Sequence, residues 1–118
     1  MSRDVTIYHN PRCSKSRETL NLLNERGIEP EVVLYLETPP DAATIKTLMQ
    51  QLGLNHPREL MRTKEELYKT LNLGDASLDD AALIQAMVEN PKLIERPIVV
   101  SHGKARLGRP PEQVLEIL

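Results

Sequence analysis

Val5-Thr6-Ile7-Tyr8-His9-Asn10-Pro11 is the stretch on which the fold turns. Val5-Thr6-Ile7-Tyr8 alternates and is rich in β-formers, which predicts a short strand. His9-Asn10-Pro11 is turn chemistry and ends that strand. A helix is expected next, with Ser16, Leu20 and Leu23 on one face at i, i+4 and i+7. Gly27 stands where a helix C-terminus favours a left-handed residue. Glu31-Val32-Val33-Leu34-Tyr35-Leu36 reads as the second strand. Strand, helix and strand in this span make a βαβ unit, with parallel strands and a right-handed crossover.

Beyond this unit the pattern turns helical for about fifty residues. Thr38-Pro39-Pro40-Asp41 has the form of a helix start, with a Thr cap, Pro at the first helical position and an acid three residues on. Ile45, Leu48, Met49 and Leu52 form an apolar stripe that Gly53 ends. Pro57 opens a short helix through Leu60 and Met61, with a break near Arg62. Thr63-Lys64-Glu65-Glu66 and Ser77-Leu78-Asp79-Asp80 both have the capping-box pattern, ahead of Leu67 and Leu71 and of Leu83, Ile84, Met87 and Val88. Asn90-Pro91 closes the last of these helices. Pro97-Ile98-Val99-Val100 restores strand character, and Ser101-His102-Gly103-Lys104 turns the chain into Ala105-Arg106-Leu107 as a hairpin. Pro110-Pro111 opens a final helix through Val114, Leu115 and Leu118. The order is βαβ, helices, ββα. It predicts an α/β, thioredoxin-like fold with a mixed sheet and a helical insertion over about residues 38–91 between the two halves.

Composition narrows the function classes. The chain has 118 residues, one domain's worth. Fifteen basic and seventeen acidic side chains leave a net charge of −2, which argues against a basic nucleic-acid arm or a polybasic membrane anchor. With that charge and no long apolar stripe, a monomer is the default expectation. Phe and Trp are absent, so surfaces for stacking single-stranded bases are nearly missing. There is no apolar run of about 18 residues to cross a membrane. Met1-Ser2-Arg3-Asp4 has no signal-peptide core. A single cysteine forbids an internal disulfide and suits a reducing cytoplasm.

That cysteine, Cys13, falls in the loop between the first strand and the first helix. Ligands of open α/β sheets bind beyond the carboxyl ends of the strands. A helix N-terminus adds partial positive charge and unpaired N–H groups, which stabilise a thiolate. Arg12, Lys15, Arg17 and His9 are candidate neighbours that could lower the thiol pKa. A lone cytosolic cysteine is often merely buried, but three cationic side chains within four residues argue against an apolar pocket. Cys13 and Arg17 have three residues between them, where a tyrosine-phosphatase loop needs five. Ser16 stands where a C-x-x-C oxidoreductase has its second thiol. Any redox cycle at Cys13 must therefore finish with an external thiol. His9, His56 and His102 lack metal-ligand spacing, so no metal site is expected. His56 and His102 fit exposed loops. Arg62, Arg96 and Arg109 each sit at the end of an element. Arginines in such places are ordinarily solvated, yet three guanidinium forks could converge on a tetrahedral oxyanion. Pro97 opens the third strand either as an ordinary trans proline or, as the thioredoxin-like layout suggests, facing the cysteine through a cis bond.

Tyr8-His9-Asn10-Pro11-Arg12-Cys13-Ser14-Lys15-Ser16-Arg17, Tyr35-Leu36-Glu37-Thr38-Pro39-Pro40, Arg96-Pro97-Ile98-Val99-Val100 and Arg106-Leu107-Gly108-Arg109-Pro110 together resemble the glutaredoxin-coupled arsenate reductase family. The likeness covers essentially the whole chain. Ser14-Lys15 depart from it, since the best-known members favour small uncharged residues there. The resemblance implies that Cys13 is the thiolate that attacks arsenate. It implies that Arg62, Arg96 and Arg109 bind the oxyanion and that His9 tunes the cysteine, with Ser16, Arg17 and Pro97 in support. It further implies no tightly bound cofactor, glutathione as reducing co-substrate and glutaredoxin as partner, while the composition points to neither nucleic acid nor membrane. Two alternatives stand beside it: a glutathione-dependent thiol protein of the same family with another substrate, and a non-enzymatic regulatory binding module. The regulators of this wider family commonly carry a C-x-x-C switch, which Ser16 disfavours here.

Overall fold

A computed structural model describes residues 5–118; the Met1-Ser2-Arg3-Asp4 stretch, and the expectation placed on it, lie outside the described residues. The chain divides into two compact units. One holds residues 5–38 with Arg96–Leu118, and the other is Pro39–Glu95.

The first unit carries the sheet. Strand β1 (Val5–Tyr8) leads into helix α1 (Ser14–Glu25) and strand β2 (Glu31–Val33), and the hairpin β3 (Ile98–Ser101) and β4 (Lys104–Leu107) completes it. The order across the sheet is β2-β1-β3-β4. β1 pairs parallel with β2 and antiparallel with β3, placing Ile7 opposite both Val32 and Val99. This mixed α/β sheet with its crossover helix is the expected thioredoxin-like arrangement. Val5, Ile7, Leu23, Val99, Val114 and Ile117 form its core, with Leu20, Leu22 and Ile28 packed at the margin. His102 and Gly103 both take positive φ, 54° and 76°, in the hairpin turn. That is the two-residue geometry whose twist matches the strands it joins.

Three details of this unit depart from the sequence reading. β2 ends at Val33 instead of running to Leu36, because β1 offers it partners only from Thr6 to Tyr8. His9 N–H takes the carbonyl of Val33 at 2.9 Å, and the chain then turns, with Glu37 and Thr38 N–H both on the carbonyl of Leu34. The final helix, Pro111–Ile117, is 3-10. Its buried residues, Pro111, Val114 and Ile117, recur every three positions, which is the 3-10 period. Leu118 is consequently exposed. On α1 the buried residues are Ser16, Thr19 and Leu23, while Leu20 is only half-buried.

The second unit is helical: α2 (Ala42–Leu52), a 3-10 turn at Pro57–Leu60, α3 (Glu66–Thr70), α4 (Asp80–Glu89) and a 3-10 turn at Pro91–Leu93. Its helices start later than the Thr and Ser patterns suggest. Asp41, and not Thr38, caps α2 by accepting from Thr44 N–H at 2.8 Å. A proline keeps the residue before it out of the helical region, so Pro40 rules out a helix begun at Pro39. Asp79, and not Ser77, caps α4 through Ala82 N–H at 2.8 Å. Thr63 caps nothing: α3 begins after Glu65, whose own side chain makes no cap. His56, expected as a plain loop residue, caps the Pro57–Leu60 turn by accepting from Arg58 N–H, while Glu59 reaches back to His56 N–H. Arg58 then ties the loop after α3, donating to the carbonyls of Leu73 and Asp75 at 3.1 and 2.7 Å. No described helix is long and apolar enough to cross a membrane.

Candidate active site

The loop after β1 is built by its own side chains. His9 and Asn10 are buried at the end of the strand. Asn10 Oδ1 accepts from Arg12 N–H at 3.0 Å, and the Asn10 carbonyl accepts from Cys13 N–H at 3.0 Å. This Asx turn delivers Cys13 in extended conformation to the N-cap of α1, where its carbonyl takes Arg17 N–H. Ser16, one turn into the helix, reaches back. Its Oγ accepts from Asn10 N–H at 3.0 Å and lies 2.6 Å from His9 Nδ1. Arg17 crosses the outside of the loop and donates from Nη1 to the carbonyl of Pro11 at 2.9 Å.

Cys13 is half-buried, and burial by itself pushes its thiol up. Other causes outweigh it. The backbone N–H of Ser16, the Arg96 guanidinium (by hydrogen bond and by charge) and the backbone N–H of Lys15 all favour the thiolate, and the net shift is downward. Arg109 adds a second cation, with Nη2 3.8 Å from Sγ. Its Nε donates to the carbonyl of Arg96 at 2.8 Å, so the two arginines are braced against each other. Arg96 Nε is buried and has no hydrogen-bond partner among the described residues. A buried donor with no acceptor is costly, and an anion beside the sulfur would satisfy it.

His9 is held neutral at pH 7, its pKa lowered first by burial and then by the charge of Arg17. Its ring contact is with the Ser16 hydroxyl, and Ser16 N–H is itself a donor to the thiol. The influence of His9 on Cys13 therefore runs through the position of Ser16. Arg62 belongs to the second unit. Its N–H is on the carbonyl of Leu93 at 2.7 Å, and its Nη1 lies 3.3 Å from Glu65 Oε2. The other oxygen of Glu65 takes Lys92 at 3.4 Å.

The Arg96-Pro97 bond is cis, as is Arg109-Pro110, which sequence reasoning did not consider. Two further residues were not singled out. Gly108 N–H donates to the carbonyl of Pro97 at 3.0 Å, and a Cβ on Gly108 would overlap Thr19 Oγ1 and come within 2.7 Å of Pro97 Cγ. A glycine at the end of a strand, just before an arginine, is the kind of signal that marks close backbone approach. Thr19, which donates to the carbonyl of Lys15 at 2.8 Å, forms the other side of that contact. Gly108→Ala is expected to destabilise the fold by about 1–3 kcal/mol through overpacking. Urea unfolding measures this, and a loss of only a few tenths of a kcal/mol would show that the contact yields freely.

The lowered thiol has a measurable sign. Alkylation of native Cys13 by iodoacetamide should titrate with a midpoint below the ordinary thiol range, and the midpoint should return to that range in urea. By linkage, a depressed folded pKa contributes stability above the unfolded thiol's pKa, and the contribution disappears as pH falls through the folded value. Equal midpoints in buffer and in urea would mean that the N–H groups and cations do not outweigh burial at the sulfur.

What the first unit assembles is a helix-capped thiol with two guanidinium groups and two backbone N–H groups around it. That constellation can hold an oxyanion against a nucleophilic sulfur. The ArsC family model matches residues 8–117. The chain is 74% identical to an Escherichia coli protein, YfgD, over all of its own length and 99% of that protein. It is 53% identical to an arsenate reductase of Haemophilus influenzae, over 97% of this chain and 98% of the relative. Among solved structures, an arsenate reductase from Vibrio cholerae superposes with a TM-score of 0.95 at 68% identity, covering 97% of each chain. On the match to the family model and on these identities, the chain belongs to the ArsC family.

Proposed function

We propose that the protein is an oxidoreductase that reduces arsenate to arsenite in the cytoplasm, working as a monomer with Cys13 as nucleophile. The observation that carries this reading is the placing of Arg96 and Arg109 on the Cys13 sulfur, with an idle donor at Arg96 Nε. The thiolate attacks arsenic, and an oxygen leaves as water after protonation, giving a Cys13–S–As(V) adduct. The arginines neutralise the anion so that it can approach a negatively charged sulfur. A glutathione thiolate then attacks the Cys13 sulfur. The S–As electron pair stays on arsenic, which becomes As(III) and departs as arsenite, and a Cys13–glutathione disulfide remains. Glutaredoxin takes the glutathione sulfur and restores the Cys13 thiolate, which agrees with a chain that has no second thiol. Arg62 is assigned as a third oxyanion ligand, with Glu65 holding its guanidinium. Ser16 and His9 fix the thiol loop, Arg17 braces it and Pro97 sets the backbone beside it. No tightly bound cofactor is required.

The test is arsenate-dependent NADPH oxidation coupled through glutathione, glutathione reductase and glutaredoxin. Turnover with arsenite as product supports the reading. A folded protein with an alkylation-reactive Cys13 that gives no turnover with several glutaredoxins overturns it in favour of a thiol protein acting on another substrate.

A further inference from the structure

One thiol per chain means that each cycle closes only when a sulfur from another molecule reaches bonding distance of Cys13. Some surface next to Cys13 has to receive that molecule. α1 and the C-terminal 3-10 helix border a groove of about 350 Å3, lined by Lys15, Glu18, Leu22, Glu25, Pro111 and Glu112 together with Pro110. Two of its lining residues, Lys15 and Pro110, connect it to groups at the thiol. Lys15 N–H is one of the donors to Cys13, and Pro110 follows Arg109, whose guanidinium lies 3.8 Å from Sγ. Leu22 and the two prolines supply apolar surface, and Pro111 is buried. The charge is one-sided. Three carboxylates stand against one ammonium, and that ammonium is 3.7 Å from Glu18. Free glutathione, with two carboxylates and one ammonium, is itself an anion at neutral pH and is repelled here. A protein surface bearing Lys or Arg around its reactive cysteine is attracted, and complementarity of this kind acts mainly on the association rate.

We infer that this groove is the docking face for the protein thiol that closes the cycle, a reductant with a basic rim around its reactive cysteine. The inference rests on the proposed function for the glutathione disulfide of Cys13. In the step itself the reductant's thiolate attacks the glutathione sulfur. A new S–S bond joins reductant and glutathione, the old one breaks, and its electron pair leaves on Cys13 as the thiolate. A further glutathione thiol then reduces the reductant's mixed disulfide.

The experiment needs no arsenate. The Cys13–glutathione disulfide is made with oxidised glutathione, and its reduction is followed separately with glutaredoxin and with free glutathione. The chains compared are the wild type, E18Q/E25Q/E112Q and E18K/E25K/E112K. With glutaredoxin, the wild-type rate constant should fall with added salt, the Gln variant should be slower by several-fold, and the Lys variant slower by about tenfold or more with its salt dependence lost. With free glutathione, both variants should react as fast as wild type or faster. Unchanged glutaredoxin rates overturn the inference. Equal slowing with both thiols overturns it too, since that reports a disturbed sulfur, as does a wild-type dimer in sedimentation that the Lys variant abolishes. Arsenate turnover with charge-insensitive disulfide reduction would sink the docking face alone. The expected charge dependence without arsenate turnover would sink the proposed function alone.

Discussion

Cys13→Ser is expected to lower kcat/KM for arsenate reduction by about a thousandfold or more, with no measurable turnover in the coupled assay. The serine oxygen fails twice. The N–H groups and guanidinium that lower a thiol cannot bring an alcohol anywhere near ionisation at neutral pH, so the attacking anion is missing. An arsenate ester on oxygen also offers glutathione no sulfur to attack, so the electrons have no path to arsenic. Cys13 makes its loop contacts through its backbone N–H and carbonyl, which serine retains. Thermal unfolding should therefore move little, which separates lost chemistry from lost fold. Arsenate-dependent turnover by a folded Cys13→Ser protein at even a tenth of the wild-type rate would remove Cys13 from the mechanism.

Arg96→Gln is the second large effect expected. The guanidinium acts on the sulfur by hydrogen bond and by charge, and it brings the buried idle N–H to the site. Removing one such preorganised donor costs about 10²–10³ in kcat/KM. Two readouts should move together: the alkylation midpoint of Cys13 rises, and the arsenate KM rises. The Arg96 carbonyl that braces Arg109 is backbone and survives the change. Arg96→Lys should recover part of the thiol shift through its charge, but little of the oxyanion affinity, because an ammonium lacks the planar fork. An Arg96→Gln protein with an unchanged alkylation midpoint would show that the first-turn N–H groups and Arg109 set the thiol without Arg96.

Local chemistry explains which parts of this protein are legible without coordinates. Val5-Thr6-Ile7-Tyr8 alternates, Asn10-Pro11 turns, and Cys13 stands at a helix start because turn and helix preferences act over a few residues. The hairpin at His102-Gly103 is legible for the same reason. The misread ends are those where two local signals compete. Thr38 and Asp41 both look like caps, and the pair of prolines between them decides in favour of Asp41. Thr63 and Ser77 fit a cap pattern, yet the chain starts its helices two or three residues later. The length of β2 and the 3-10 form of the last helix depend on what β1 can pair with and on which side chains reach the core, and neither is a property of those segments alone.

The sequence by itself determined the order βαβ, helices, ββα, the position of the one thiol at the start of α1 and the lack of a second thiol to pair with it. Hydrophobic period, turn residues and a cysteine count are all local or compositional quantities. Only the tertiary structure decided that Arg109, 96 residues along the chain from Cys13, lies 3.8 Å from its sulfur. It likewise placed Arg96 on the same atom and made Gly108 and Thr19 the close contact beside Pro97. These meetings follow from the antiparallel register of β3 on β1 and from the packing of α1 over the sheet, where distant segments are brought together by the burial they share.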